Sequence, residues 1–174
     1  MLDYFIPDIY AQSIYTINYK KLKKNGIKCL LFDLDNTCVP YVDKLPSKKL
    51  KNLFEDLQDL GFKIIIFSNS NKKRLEPFKK ELSVDCCPNA KKPWKKSFLK
   101  ILNKFNFELS QVAIIGDQFY TDIWGGNRVG ITTILVNPIS NTDMFATKFA
   151  RKMENRLLKK MAKENIFKKG RYYD

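Results

Sequence analysis

Residues 27–37 read "IKCLLFDLDNT". An apolar run of the right length for one buried strand ends in two carboxylates, Asp33 and Asp35, two positions apart. In an extended strand alternate side chains share a face. These acids would therefore point the same way and repel unless a cation or a shared proton relieves them. The stretch reads as a strand that delivers a site.

Four further apolar runs follow, at 62–67 ("FKIIIF"), 84–87 ("VDCC"), 112–116 ("VAIIG") and 131–136 ("ITTILV"). Between them lie helical segments at 47–60, 72–82, 95–105 and 119–128. The first places Leu50, Leu53, Phe54, Leu57 and Leu60 on one face with lysines opposite, and Gly61 supplies its C-cap. Upstream, Asn18 caps a short helix, "YKKLKKN", that Gly26 ends. Continuous apolar strands alternating with helices mark a parallel sheet covered on both faces. The expected fold is α/β: a doubly wound, Rossmann-like, mainly parallel five-stranded sheet. At 174 residues and 44% hydrophobic content the chain supports one domain. Its parts are an N-terminal segment at 1–26, a catalytic core at 27–140 and a basic amphipathic tail at 141–174.

The tail carries ten basic and four acidic residues and no strand pattern. It reads as a long helix with a frayed end. Phe145, Phe149, Met153, Leu157 and Met161 recur every four residues on it. That stripe fits either an interfacial membrane helix or a helix packed on the core with a solvated basic face.

Thirty-two Lys and Arg against 18 Asp and Glu give a net charge of +14, which favours anionic partners. No signal peptide or spanning segment is predicted, so the expected location is the cytoplasm, with peripheral contact at the inner face of an anionic membrane. The four cysteines form no C-x-x-C pair and read as reduced thiols. With no histidine in the chain, Ser-His-Asp triads, His-ligated zinc and phosphohistidine chemistry are excluded. Catalysis must rest on carboxylates, hydroxyls, lysines and metal.

Four polar clusters fall at the C-terminal ends of predicted strands, where doubly wound sheets place their ligand crevice. They are "DLDNT" (Asp33, Asp35, Thr37), "FSNS" (Ser68, Asn69), "AKKP" (Lys91, Lys92) and "GDQFYTDIWGG" (Asp117, Asp122). This ordered set resembles the haloacid dehalogenase superfamily. With "SNSNKKR", "GDQFYTDIWGGNR", "TILVNP" and the opening "FIPDIYAQSIYTIN", it is similar to the subclass IIIA branch of YqeG type, related to phosphatidylglycerophosphate phosphatases.

The resemblance implies a Mg²⁺-dependent phosphomonoester hydrolase. Asp33 would be the nucleophile that forms an aspartyl phosphate and Asp35 the general acid and base. Asp33, Asp117 and the Asp35 backbone carbonyl would hold Mg²⁺. Asp122 is either a further ligand or a support behind the metal, with support favoured. Ser68 and the Asn69 backbone N–H would hold a phosphoryl oxygen, and Lys92, preferred over Lys91 because it precedes the proline, would neutralise charge. Thr37 is expected to brace the loop, and Gly125 and Gly126 to ease backbone packing. Asp33 and Ser68 are 35 positions apart and Ser68 and Lys92 are 24. Neither interval has room for a cap domain, so the site should be open.

The implied substrate is phosphatidylglycerophosphate. A protein, nucleic-acid or small-molecule phosphate ester is the alternative, and a basic RNA- or ribosome-binding module is a third reading supported by charge alone. No specific nucleic-acid partner is expected.

Overall fold

The computed structural model describes the backbone of residues 2–140 and 145–174, and side chains of residues 2–140 and 152–174. Among the described residues six parallel strands form one sheet in the order β1-β6-β5-β2-β3-β4. They are β1 (Ile9–Ala11), β2 (Cys29–Phe32), β3 (Lys63–Phe67), β4 (Asp85–Cys87), β5 (Val112–Gly116) and β6 (Thr132–Val136). The helices are α1 (Tyr19–Lys24), α2 (Lys48–Asp59), α3 (Lys72–Leu82), α4 (Lys95–Phe105), α5 (Trp124–Val129) and α6 (Phe145–Lys163).

Strand periodicity distributes each strand between two cores. Leu30 and Phe32 of β2, Ile64 and Ile66 of β3, and Ala113 and Ile115 of β5 face α1, α2 and α3, meeting Leu22, Leu50, Phe54 and Phe78. Cys29 and Leu31, Ile65 and Phe67, and Val112 and Ile114 face the opposite side, against Phe98, Ile101 and Leu102 of α4. Asn18, Ser47 and Asn71 cap α1, α2 and α3 by accepting from the backbone N–H three residues on. The four cysteines are unbridged, with Cys29 and Cys38 buried.

The sheet has six strands where the sequence pattern predicts five. The additional strand is β1, three residues at the edge, too short to show a period and paired in parallel with β6 at Ile9–Ile134 and Ala11–Val136. The chain end completes it. Tyr10 N–H donates to the Tyr173 carbonyl at 2.8 Å, and Tyr173 N–H donates back to the Tyr10 carbonyl at 2.9 Å. The expected frayed end is thus corrected: Tyr173 is an anchored position on the edge strand.

α6 packs where its stripe is described. Leu157 and Met161 are buried with Tyr10, Phe119, Ile123, Leu135 and Phe167, while Met153 is exposed. Phe145 and Phe149 lie outside the residues whose side chains are described. The interfacial reading of the tail therefore loses Leu157 and Met161, which already have an apolar partner in the fold. Among the described residues no helix is long and apolar enough to cross a membrane.

Candidate active site

Parallel pairing brings the site together. β2 lies between β5 and β3, with Phe32 in register with Ile115 and with Ile66. Asp33 follows Phe32 immediately, and its N–H donates to the Ile115 carbonyl at 2.9 Å. Asp117 leaves β5 and Ser68 leaves β3 on either side. Three sequence-distant segments thereby present their polar residues at one sheet end.

Asp33, Asp117 and Asp122 form a buried cluster in which one carboxylate oxygen from each lies within 4.8 Å of the others. Lys92 Nζ donates to Asp33 Oδ1 at 2.7 Å and to Asp122 Oδ1 at 2.6 Å, and its side chain is fully buried. Lys91 is exposed, so of the two adjacent lysines it is Lys92 that reaches the acids. The Asn69 side chain fixes the Lys92 backbone from both sides, accepting from its N–H at 2.7 Å and donating to its carbonyl at 3.1 Å. Asn69 thus has a side-chain role in placing the lysine that the motif alone does not reveal.

The expected helix at 119–128 divides into a π-helical turn, Phe119–Ile123, and α5. This wider turn swings Asp122 back over the end of β5, where its Oδ2 accepts from the Gln118 N–H at 3.2 Å. A Cβ at residue 116 would come within 2.2 Å of the Asp122 carboxyl carbon, so only glycine admits the acid here. Gly126 serves packing: a Cβ there would meet Thr133 and Ile114 at 2.6 and 2.7 Å. Thr37 Oγ1 donates to Asp117 Oδ1 at 3.0 Å, bracing the loop through a site carboxylate.

Burial pushes the Asp33 carboxyl up to about 6; Lys92 pulls it down, and Asp122 adds to the rise. Asp117 is raised well above the usual carboxylate range, first by burial and then by Asp33 and Asp122, with the Thr37 hydrogen bond opposing. Burial disfavours the Lys92 ammonium, yet Asp122 and Asp33 outweigh it and raise this group. Three carboxylates against one ammonium leave two negative charges when all are ionised. Such an all-oxygen, doubly negative pocket suits a divalent hard cation.

Asp35 has different surroundings. β2 ends at Phe32, and the chain turns through Asn36, whose φ is 63°. Asp35, like Asp33, lies beyond the last strand residue, and both line the same cleft. Asp35 Oδ1 accepts from Arg74 Nε at 3.0 Å and Nη2 at 2.8 Å, and its Oδ2 accepts from Ser70 Oγ at 2.6 Å. The repulsion implied by "DLD" is relieved by two separate cations, Lys92 for Asp33 and Arg74 for Asp35. Sequence reading missed Arg74 and Ser70. No local signal singles out Arg74, which is one of three adjacent bases, with Lys72 and Lys73, that open the helix after the "SNS" cluster.

Arg74 Nη1 also donates to the Asp43 carbonyl, and its guanidinium stacks between Phe78 and Tyr41 at 4.9 and 5.6 Å. Arg74 and Tyr41 wall an open cleft of about 540 Å³ over Asp33, Ser68, Lys92 and Thr121. A loop, α2 and β3 fill 34–67, and α3 and β4 fill 69–91, with no cap domain in either.

A family profile described as haloacid dehalogenase-like hydrolase matches residues 40–130. The probable phosphatase YqeG of Bacillus subtilis is 36% identical over 155 residues, covering 89% of this chain and 90% of that protein. Phosphatidylglycerophosphate phosphatase 1 of Chlamydomonas reinhardtii, a chloroplastic protein, is 28% identical over 86% of this chain, which spans 59% of its length. Among solved structures, the deoxy-D-mannose-octulosonate 8-phosphate phosphatase of Haemophilus influenzae superposes with a TM-score of 0.54 over 83% of this chain and 95% of that one, at 14% identity. An uncharacterised Listeria monocytogenes protein gives 0.53 over 70% and 88%, at 20% identity. These likenesses establish the fold, and the profile and the Bacillus relative establish kinship. The chain belongs to the haloacid dehalogenase-like hydrolases, among the phosphatases of YqeG type.

Proposed function

We propose that this phosphatase hydrolyses phosphatidylglycerophosphate through an aspartyl-phosphate intermediate with Mg²⁺ as cofactor. The observation that carries the chemistry is the buried meeting of Asp33, Asp117 and Asp122 with Lys92 at the floor of an open cleft. The substrate rests on the algal relative and on a plant one: the Arabidopsis thaliana phosphatidylglycerophosphate phosphatase 1, 24% identical over 94% of this chain, which spans 50% of that protein.

Asp33 attacks phosphorus, forming an oxygen–phosphorus bond as the bond to the glycerol oxygen breaks. Asp35 gives its proton to the departing alkoxide. Water then attacks the aspartyl phosphate, yields its proton to Asp35 and releases inorganic phosphate with Asp33 regenerated. Lys92 orients Asp33 by one oxygen and places positive charge beside the phosphoryl group. Ser68 and the Asn69 N–H border the same position, and Arg74 with Ser70 aims Asp35. Mg²⁺ held by Asp33, Asp117 and the Asp35 carbonyl, with Asp122 beside it, would neutralise the phosphoryl oxygens.

The test is a panel of phosphate esters assayed with Mg²⁺ and with EDTA. Phosphatidylglycerophosphate in mixed micelles is compared with a phosphopeptide, a 3′-phosphorylated oligonucleotide and a sugar phosphate. The expected result is the highest kcat/KM for the lipid and loss of all turnover in EDTA. A tenfold preference for any other ester removes the lipid substrate, and full turnover in EDTA removes the metal.

A further inference from the structure

Among the described residues the three most exposed large apolar side chains gather at one end of the sheet, while lesser ones such as Leu60, Leu109 and Tyr172 lie elsewhere. Val42 (68% exposed), Trp94 (66%) and Leu45 (60%) are the most exposed large hydrophobics among the described residues. Val42 and Leu45 follow β2 and Trp94 follows β4. In a parallel sheet these connections emerge at one end, the end that holds Asp33 and Lys92. Ile139, also exposed, follows β6 at the same end, and its N–H donates to the carbonyl of Asn36, a residue of the cleft. β6 and β4 are four strand positions apart in the sheet order, so this rim spans roughly 19 Å across the cleft mouth.

Charge on the rim is predominantly positive. Lys44, Lys48 and Lys49 follow the apolar loop after β2, Lys72 and Lys73 open α3 after β3, and Lys91, Lys95 and Lys96 flank Trp94, all exposed. In these three connections Asp43 is the one exposed acid among the described residues. The opposite end of the sheet mixes signs, with exposed Asp59, Glu81 and Glu108 beside its lysines. Net charge alone would not create this asymmetry.

We propose that the cleft rim is a docking surface for an anionic lipid bilayer, inserting Val42, Leu45 and Trp94 at the headgroup boundary while the lysines meet lipid phosphates. Apolar side chains ringed by lysines are the combination that binds such interfaces. The geometry turns the catalytic cleft toward the membrane. α6 has committed Leu157 and Met161 to the core and is not the docking element. This inference rests on the lipid-phosphate reading above for the ester that the docked enzyme meets; the surface itself can be tested without it.

The experiment is vesicle flotation of the full chain with substrate-free phosphatidylglycerol/phosphatidylcholine vesicles and with phosphatidylcholine alone. The expected result is binding to the anionic vesicles, at least tenfold weaker to the neutral ones. Val42→Asp with Leu45→Asp, and separately Trp94→Asp, lower binding at least tenfold. Lys72→Glu with Lys73→Glu lowers it by about fivefold per lysine or more. Unchanged hydrolysis of a soluble aryl phosphate shows that each variant is folded. Of the two tryptophans, Trp94 and Trp124, Trp94 accounts for a blue-shifted emission with vesicles that disappears in Trp94→Phe.

Absence of wild-type binding at low salt overturns the proposal. So does binding that survives the rim variants but is lost in Lys152→Glu with Arg156→Glu on α6, or rim-dependent binding to RNA without binding to vesicles. Turnover of micellar phosphatidylglycerophosphate is scored separately. Its absence with vesicle binding intact removes the substrate and leaves the docking surface.

Discussion

Asp33 and Asp35 stand two residues apart and belong to different regions of the site. The floor, around Asp33, Asp117, Asp122 and Lys92, is buried and built from strand ends. The wall, around Asp35, Arg74, Ser70 and Tyr41, is partly open and built from one helix and two loops. On the floor three acids compete for one ammonium, and burial raises two of their pKa values. On the wall a single acid is gripped by a guanidinium and a hydroxyl. A cluster short of positive charge is suited to a divalent cation and an attacking group. A carboxylate aimed by a planar fork is suited to moving a proton.

The largest test of that division is Asp33→Asn. The amide keeps the shape and removes the charge proposed to attack phosphorus, so phosphate release should fall by about 10⁴-fold or more. Activity within tenfold of wild type at saturating Mg²⁺ would take the nucleophile away from the floor.

Arg74→Ala addresses the wall and should act through the leaving group. On the proposed mechanism an alkyl phosphate, leaving as a poor alkoxide, draws on the Asp35 proton, so its kcat should drop by about 10²-fold. p-Nitrophenyl phosphate leaves without that help and should lose no more than about threefold. Arg74→Lys, with one point charge in place of a fork, should recover part of the alkyl activity. Equal losses on both esters would mean that Arg74 only supports the loop at 40–43.

The same contrast explains which residues can be read from the sequence. Asp33, Ser68, Lys92 and Asp117 each follow an apolar run or precede a proline, so a local pattern announces them. Strand ends in a parallel sheet then converge by topology, and five of six strands are visible as apolar runs. Arg74 has no such marker. It looks like any other base in "NKKRLEPFKK", and its role depends on the path of a loop more than thirty residues earlier. The side-chain task of Asn69, the π-helical turn under Asp122 and the three-residue β1 are invisible for the same reason, since each is fixed by a distant partner. The tail stripe misleads in the other direction: a four-residue period announces an apolar face and does not say whether protein or lipid covers it.

Titration should separate the regions next. Without metal, Asp33 ionises around pH 6, whereas an unfolded aspartate does so at about 3.9. The folded state therefore binds the extra proton, and this group's contribution to stability is full below about pH 4 and lost as pH rises through about 6. A divalent cation needs the ionised form, so its affinity should rise with pH through that window, by up to about tenfold per unit below 6. Melting temperatures with and without Mg²⁺ at pH 5 and 7 report it. A larger upshift at pH 5 would contradict the assignment of Asp33 as a ligand.

Thr37 supplies the finest distinction, because it belongs to the "DLDNT" loop yet donates to Asp117 across 80 residues. Thr37→Val keeps the volume and deletes one hydrogen bond to a buried carboxylate. Without that donor, nothing at this position opposes the upward push that burial, Asp33 and Asp122 exert on Asp117. Mg²⁺ affinity should then weaken by about tenfold, while kcat at saturating metal changes little. A Mg²⁺ titration of phosphate release separates the two parameters. If affinity holds and kcat falls, Thr37 touches the substrate and belongs with Asp35 on the wall; if affinity falls alone, it belongs to the floor as the hydroxyl that keeps Asp117 ready to bind a cation.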